Sequence, residues 1–177
     1  INVYGKIVSD TRALYIGGKK VEGDLIIPDN VKSIGHGAFN GFSGLSSITI
    51  GNSVTSIGDF AFENCTGLTS VTIGNSVTYI ESSAFENCTG LTSITIPDSV
   101  TDIDYSTFSG CTGLASITIP DSVTSISAWA FYNCTGLTSI TFNGTIAQWN
   151  AISKGERWKY RVPSTCNVHC IDGDIKA

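Results

Sequence analysis

From Leu45 to Asn143 the apolar residues of this chain fall into columns that recur every 23 residues. Each block begins with a segment such as Leu45-Ser-Ser-Ile48-Thr-Ile50, in which polar and apolar positions alternate. That is the period of a half-buried β-strand, with Ile48 and Ile50 inward and Ser47 and Thr49 outward. Its β-branched residues suit a pleated surface. Gly51-Asn52 or Pro97-Asp98 then supplies turn chemistry that ends the strand. The next apolar positions, Ile57, Ala61, Phe62 and Cys65, are spaced i, i+4, i+5 and i+8, which predicts one face of a short helical turn. Gly67 is expected to let the chain bend into the next strand.

A fixed period between 20 and 50 residues marks a solenoid of stacked coils. Residues 45–67, 68–90, 91–113 and 114–136 are four matching coils, each carrying Cys-Thr-Gly at Cys65, Cys88, Cys111 or Cys134. Residues 22–44 form a degenerate first coil with Phe42 in the cysteine column, and 137–143 begin a sixth. Parallel strands are predicted near 24–27, 47–50, 70–73, 93–96, 116–119 and 139–142, about 4.8 Å apart. A single coil buries about seven large apolar groups at roughly 1.5–3 kcal/mol each. That does not outweigh about 1–2 kcal/mol of backbone entropy for every residue ordered. Coils are therefore stable only when neighbours cover their open ends. Both ends depart from the repeat and read as caps. In 1–21, Gly17-Gly18 sits between two short strands and predicts a hairpin. In 144–177, Thr145 and Gln148 have capping-box spacing, and Ile146, Trp149 and Ile152 share a helix face that Gly155 should end. Trp158, Tyr160 and Val162 then alternate, as do Val168 and Cys170, before a turn at Asp172-Gly173.

These columns resemble the BspA-like (treponemal-type) leucine-rich repeats, most closely over Leu91 to Cys111 and Leu114 to Cys134. The pattern is Leu-x-x-Ile-x-Ile-Pro-Asp-Ser-Val-Thr-x-Ile-x-x-x-(Ala)-Phe-x-x-Cys. The resemblance covers about residues 22–143, and the tail from Asn143 to Cys170 is similar to C-terminal modules of such proteins. It implies a mainly β repeat solenoid with short helical turns, curved into a horseshoe with a parallel sheet on its concave side. It also implies a bacterial surface or secreted protein of a family in which some members bind host matrix or plasma proteins.

Composition agrees with a scaffold. Charged residues are only 14% of the 177, hydrophobic residues 41%, and the net charge is −5. No Lys/Arg run offers a surface to nucleic acid. No apolar stretch approaches the ~20 residues of a membrane span. There is no Met and the first residue is Ile1, so the chain reads as a processed or excised piece.

Candidate chemistry is sparse. The four repeat cysteines are expected to be buried, reduced and metal-free, because side chains stacked in register run parallel and do not meet. Cys166 and Cys170 would lie about 13 Å apart on one strand, too far to share an ion. His36 and His169 have no nucleophile at a catalytic spacing. Asn64, Asn87, Asn133 and Asn143 begin glycosylation sequons, three of which follow from the repeat itself. No cofactor or metal is expected, and no enzyme activity.

Two surfaces are candidates for binding. One is the Ser/Thr ladder of the concave sheet, including Thr49, Thr72, Thr95, Thr118 and Thr141. The other is the segment that drifts from coil to coil between Val-Thr and Ala-Phe. It carries Tyr79, Asp102, Tyr105 and Trp129, with Tyr132 nearby. Exposed aromatics make good anchors. The reading is a monomeric protein-recognition or adhesion module of a secreted or surface-anchored bacterial protein, with an extracellular or host protein as partner. The alternative is a glycan-binding accessory module.

Overall fold

A computed structural model describes residues 22–177 in full, together with the backbone of two short strands before them. Those strands, β1 (Tyr15–Ile16) and β2 (Lys19–Lys20), pair antiparallel, Tyr15 opposite Lys20 and Ile16 opposite Lys19. The rest of the 1–21 segment lies outside the described residues. The strands that follow are β3 (Gly23–Ile27), β4 (Ser33–Ile34), β5 (Leu45–Ile50), β6 (Ser56–Ile57), β7 (Ser70–Thr72) and β8 (Tyr79–Ile80). Next come β9 (Ser93–Thr95), β10 (Asp102–Ile103), β11 (Ser116–Ile119), β12 (Ser125–Ile126) and β13 (Ser139–Phe142). The helix α1 (Ile146–Ala151) precedes β14 (Ser153–Lys154), β15 (Asn167–Cys170) and β16 (Gly173–Lys176).

The six strands expected from the alternating segments are all present as β3, β5, β7, β9, β11 and β13. They lie side by side in one parallel sheet, in register at the 23-residue repeat (Ser116↔Ser139, Ile117↔Ile140). β15 adds a seventh parallel strand, and β16 folds back antiparallel to end the sheet. Two further parallel sheets, β4-β6-β8 and β10-β12-β14, are present beyond those the alternating segments predict. Each of their strands is two residues long, a polar residue followed by Ile in all but β14 (Ser153–Lys154), too short to show an alternation.

The helical turn expected after Ile57 does not form. Ile57 belongs to β6, and the path from Gly58 to Cys65 is a run of turns. Successive amides there point alternately within the coil and towards the next one. Ala61, Glu63 and Cys65 donate to Gly58, Phe60 and Phe62 of their own coil, at 3.1 Å each. Phe60, Phe62 and Asn64 donate to Ser82, Ala84 and Glu86 of the next, at 2.8–3.0 Å. An α-helix would turn its bonded amides back to carbonyls four residues earlier in the same segment. The alternation is made possible by left-handed residues two to a coil: Phe60 and Asn64, Ser83 and Asn87, Ser106 and Gly110, Trp129 and Asn133. In the first coil both places are glycine, Gly37 and Gly41.

Side chains complete the stitching. Thr55, Thr69, Thr78, Thr92 and Thr138 each donate a hydroxyl to a carbonyl 23 residues earlier. Inside, Phe39, Phe62, Phe85, Phe108 and Phe131 form a buried stack with ring centroids 5.2–5.7 Å apart and nearly parallel planes. Gly113 has an ordinary negative φ, so its role is close approach, not the bend expected for this column. A Cβ there would lie 2.4 Å from the Thr89 carbonyl oxygen of the coil beneath.

Past residue 143 the repeat does not stop. The chain inserts α1 and then resumes the turn path, so that residues 153–162 complete the sixth coil. β14 pairs with β12, and Trp129, Phe131 and Asn133 donate to the carbonyls of Glu156, Trp158 and Tyr160. Arg157 and Arg161 take the left-handed places. The alternation of Trp158, Tyr160 and Val162 is therefore that of the turn path and not of a strand. Gly155 does not end the helix, which closes at Ile152. It lies where a Cβ would sit 2.3 Å from the amide nitrogen of Ala128.

The capping box of α1 is present, with Gln148 N–H donating to Thr145 Oγ1 and Thr145 N–H to Gln148 Oε1. Lys154 Nζ closes the other end on the Trp149 and Ile152 carbonyls. Trp149 packs edge-on against Phe142 at 5.3 Å, and Trp158 edge-on against Phe131 at 6.1 Å. Rings set at these angles cannot continue the parallel stack, and they shield its last member.

Removing residues 144–177 is expected to expose Leu137, Ile140 and Phe142, giving aggregation or loss of cooperative unfolding by light scattering and thermal melts. Gly113→Ala is expected to cost about 3 kcal/mol in urea unfolding, because the neighbour it meets is backbone and cannot rotate away.

Candidate functional site

Stacking in register turns each sequence column into a row on the surface, so the two candidate faces can be placed directly. The threonines lie on the outer face of the broad sheet. Thr49↔Thr72 and Thr95↔Thr118↔Thr141 are register partners, and His169 continues the row. Thr49, Thr72, Thr95 and Thr141 are exposed, and Thr118 is half-buried. The row is uniform: short hydroxyls, with His169 paired to Asp174 at 2.9 Å where the sheet ends.

The drifting segment lies on the turn side of the coils and is not uniform. Tyr105 and Trp129 have ring centroids 6.5 Å apart, Trp129 and Tyr132 4.8 Å, and Tyr132 and Tyr160 5.5 Å. Four aromatic side chains from three consecutive coils thus form one continuous surface ladder, whose end is covered by the Arg161 guanidinium 5.8 Å from the Tyr160 ring. Tyr105 and Tyr160 are 48% and 51% exposed, while Trp129 and Tyr132 between them are half-buried. Tyr160 was not among the residues expected. Its signal was the turn path resuming at Ser153, which the inserted helix hides from a 23-residue alignment.

Tyr79 and Asp102 stand apart from the ladder. They occupy the row of the short second sheets, Tyr79 opposite Ser56 and Asp102 opposite Ser125. Tyr79 is 67% exposed, and the Asp102 carboxylate accepts from Thr101 Oγ1 at 2.6 Å.

Trp129 occupies a left-handed backbone position, φ 65°, where the coils before it carry Ser106, Ser83 and Phe60. That conformation costs an L-residue about 1–2 kcal/mol, and the cost is least justified for a bulky side chain half in solvent. The scaffold accepts serine at this place, so packing does not demand the indole.

Among the described residues, the buried repeat thiols are held in their protonated form. Each repeat thiol donates to a phenylalanine carbonyl 26 residues earlier, as Cys111 does to Phe85 at 3.1 Å. All six cysteines are free. Burial pushes the Cys65 and Cys134 thiols from the usual 9.0 up to about 12, and holds Cys88 and Cys111 well above it. No group of three His, Cys, Asp or Glu that could hold a metal occurs among the described residues. No helix there is long and apolar enough to cross a membrane. Asn64, Asn87 and Asn133 of the repeat sequons occupy left-handed places that asparagine tolerates. Asn87 Nδ2 donates to Asn64 Oδ1 at 3.3 Å.

A model of the BspA-type leucine-rich repeat region, in six copies, matches residues 21–138. The chain belongs to that family. Among solved structures it is similar to a leucine-rich cell surface protein of Faecalibacterium prausnitzii, with 41% identity and a TM-score of 0.69. That match covers 73% of this chain and 34% of the other, so the chain spans about a third of that relative's length. A leucine-rich repeat protein of Bacteroides ovatus matches at 28% identity and a TM-score of 0.63, over 84% of this chain and 42% of the other. The pneumococcal vaccine antigen PcpA shares the fold, at 22% identity and a TM-score of 0.72, over 88% of this chain and 38% of its own. Among curated proteins, none matches this chain.

The thiol ladder makes the repeat alkali-sensitive. Below pH 9 the thiols are protonated in both folded and unfolded chains, and their burial is fully favourable. Above 9 the unfolded chain ionises first, so stability falls between about pH 9 and 12, by about 1.4 kcal/mol per pH unit for each such thiol. Urea midpoints are expected to be flat from pH 7 to 8.5 and to drop steeply by pH 10.5, and replacing Cys65 and Cys134 with Ala should reduce the slope. Alkylation under denaturing conditions without reductant should label all four repeat cysteines.

Proposed function

We propose that this chain is a non-enzymatic recognition and adhesion module of a secreted or surface-anchored bacterial protein, and that it holds an extracellular protein, of the host or of another cell, on its turn side. The surface location rests on the family and on the description of the F. prausnitzii relative as a cell surface protein. The binding role rests on one observation: the ladder Tyr105–Trp129–Tyr132–Tyr160 is continuous across three coils and unneeded by the scaffold. Aromatic side chains bury large area at low entropic cost, which is what a protein-binding anchor requires. Repeat modules present such extended surfaces to proteins generally. In this reading residues 1–21 and 144–177 close the two ends, with 153–162 also completing the sixth coil, and 22–143 carry the rest of the repeated framework.

A glycan would be held differently. Sugars stack on the free faces of aromatic rings, whereas Tyr132 is sandwiched between Trp129 and Tyr160, and Arg161 covers the last face. The ladder offers edges and polar tips, which suits a packed protein surface better. The threonine row has area but no anchor.

The double substitution Trp129→Ser and Tyr132→Ser tests this cleanly, because Ser106 and Ser109 hold the same two places one coil earlier. Beads coated with the parent chain are expected to adhere to at least one member of a panel of extracellular-matrix and serum proteins, and the variant to lose at least tenfold of that adherence with an unchanged melting curve. Adherence only to an array of glycans, or equal adherence by the variant, would refute the reading.

A further inference from the structure

The rows that carry the ladder change character along the solenoid. One row reads Glu63, Glu86, Ser109, Tyr132 and Tyr160, fixed in register by the hydrogen bonds of Asn64, Asn87, Gly110 and Asn133 to the carbonyls of Glu86, Ser109, Tyr132 and Tyr160. A parallel row begins at Asp59 and reaches Tyr105 two coils later. The same surface is therefore mainly anionic over the second and third coils, where the one aromatic in these rows, Phe60, packs on His36 at 5.4 Å, and mainly aromatic from the fourth to the sixth. No Lys or Arg lies between Lys32 and Lys154. Among the described residues, none of Asp59, Glu63, Glu81, Glu86 and Asp104 is ion-paired. Their hydrogen-bond donors are neutral: the amides of Asp59, Ser82 and Tyr105, and the Asn40 side chain. Past the ladder the charge reverses at Lys159 and Arg161, beside Arg157, which pairs with Glu156 at 3.4 Å.

We propose that the ladder docks a cationic segment of the partner protein, lying along the solenoid axis with its basic residues over Glu63 and Glu86 and its apolar residues against Trp129 and Tyr132. This deepens the recognition role proposed above and rests on it. The exposed aromatic face supplies the contact area, and charge complementarity selects the occupant. An unpaired carboxylate row continuous with that face attracts Lys and Arg and repels acidic segments. Lys159 and Arg161 at the far end oppose the reversed orientation, so the segment has a direction. Four coil steps at about 4.8 Å make a track of about 19 Å, which an extended chain covers with about six residues.

The test is selection of random 12-residue peptides on the immobilised parent chain, counter-selected on the Trp129→Ser, Tyr132→Ser variant. Enrichment in Lys and Arg at one end of the recovered peptides and in apolar residues at the other is expected. Glu63→Gln with Glu86→Gln should weaken a recovered peptide about tenfold, and raising salt from 50 to 500 mM should do the same. Peptides that depend on Trp129 but are neutral or acidic would overturn the cationic occupant while leaving the turn side as the recognition surface. Recovery of no peptide that depends on Trp129, or Trp129-dependent capture of glycans instead, would overturn both.

Discussion

The hydrogen bonds that link each turn segment to the next coil are the constraint on which this molecule depends. Every second amide between Gly58 and Cys65 leaves its own coil for a carbonyl of the following one. This sets the coil spacing over a stretch that has no regular strand. The stack of five phenylalanines, the thiol bonds to phenylalanine carbonyls and the side-chain stitches of the threonines all follow from that spacing. So does the need for glycine at Gly113, where one coil's carbonyl passes within 2.4 Å of the place a side chain would start. A local change that breaks the spacing is felt in both neighbours, whereas a change pointing outward from the same turns is felt by none. The arrangement thus separates positions that hold the fold from positions free to recognise something.

The same separation explains what could be read from the sequence. Columns such as Ile48, Phe62 and Cys65 recur because packing repeats, so the broad sheet, its register and its core were legible at once. The short second sheets were not, because two residues show no period. The turn path read as helix because its buried residues have helical spacing. The contrary signal was the exchange of asparagine for glycine in one column, Gly41, Asn64, Asn87, Gly110 and Asn133, which indicates a left-handed backbone that a helix excludes. Aromatic residues on the drifting segment were visible as individuals, but not that Tyr105, Trp129 and Tyr132 touch, nor that Tyr79 stands apart. Contact between rows depends on side-chain reach across coils, which spacing alone does not give.

The C-terminal segment shows how a solenoid can end without an abrupt boundary. Six residues of helix are inserted after β13, the turn path resumes with tryptophan and lysine where alanine and phenylalanine stood, and the sheet turns back on itself at β16. Trp149 and Trp158 present ring edges where the repeat presents ring faces, so the parallel stack has no place for another member. The inserted helix also carries the chain into the position from which Tyr160 extends the surface ladder. Closure and the last element of the candidate binding surface are products of one departure from the repeat.

The absence of lysine and arginine between Lys32 and Lys154 has an effect beyond binding. Proteases of the trypsin type cut after those residues only, and across the whole repeat body they find no bond to attack. Such an enzyme can trim the first coil and the closing segment, but it releases the stacked coils as one polypeptide from Ser33 to Lys154 whether the chain is folded or not. The resistance is written into composition and does not rely on stability, so it survives heat and denaturant that would open the fold.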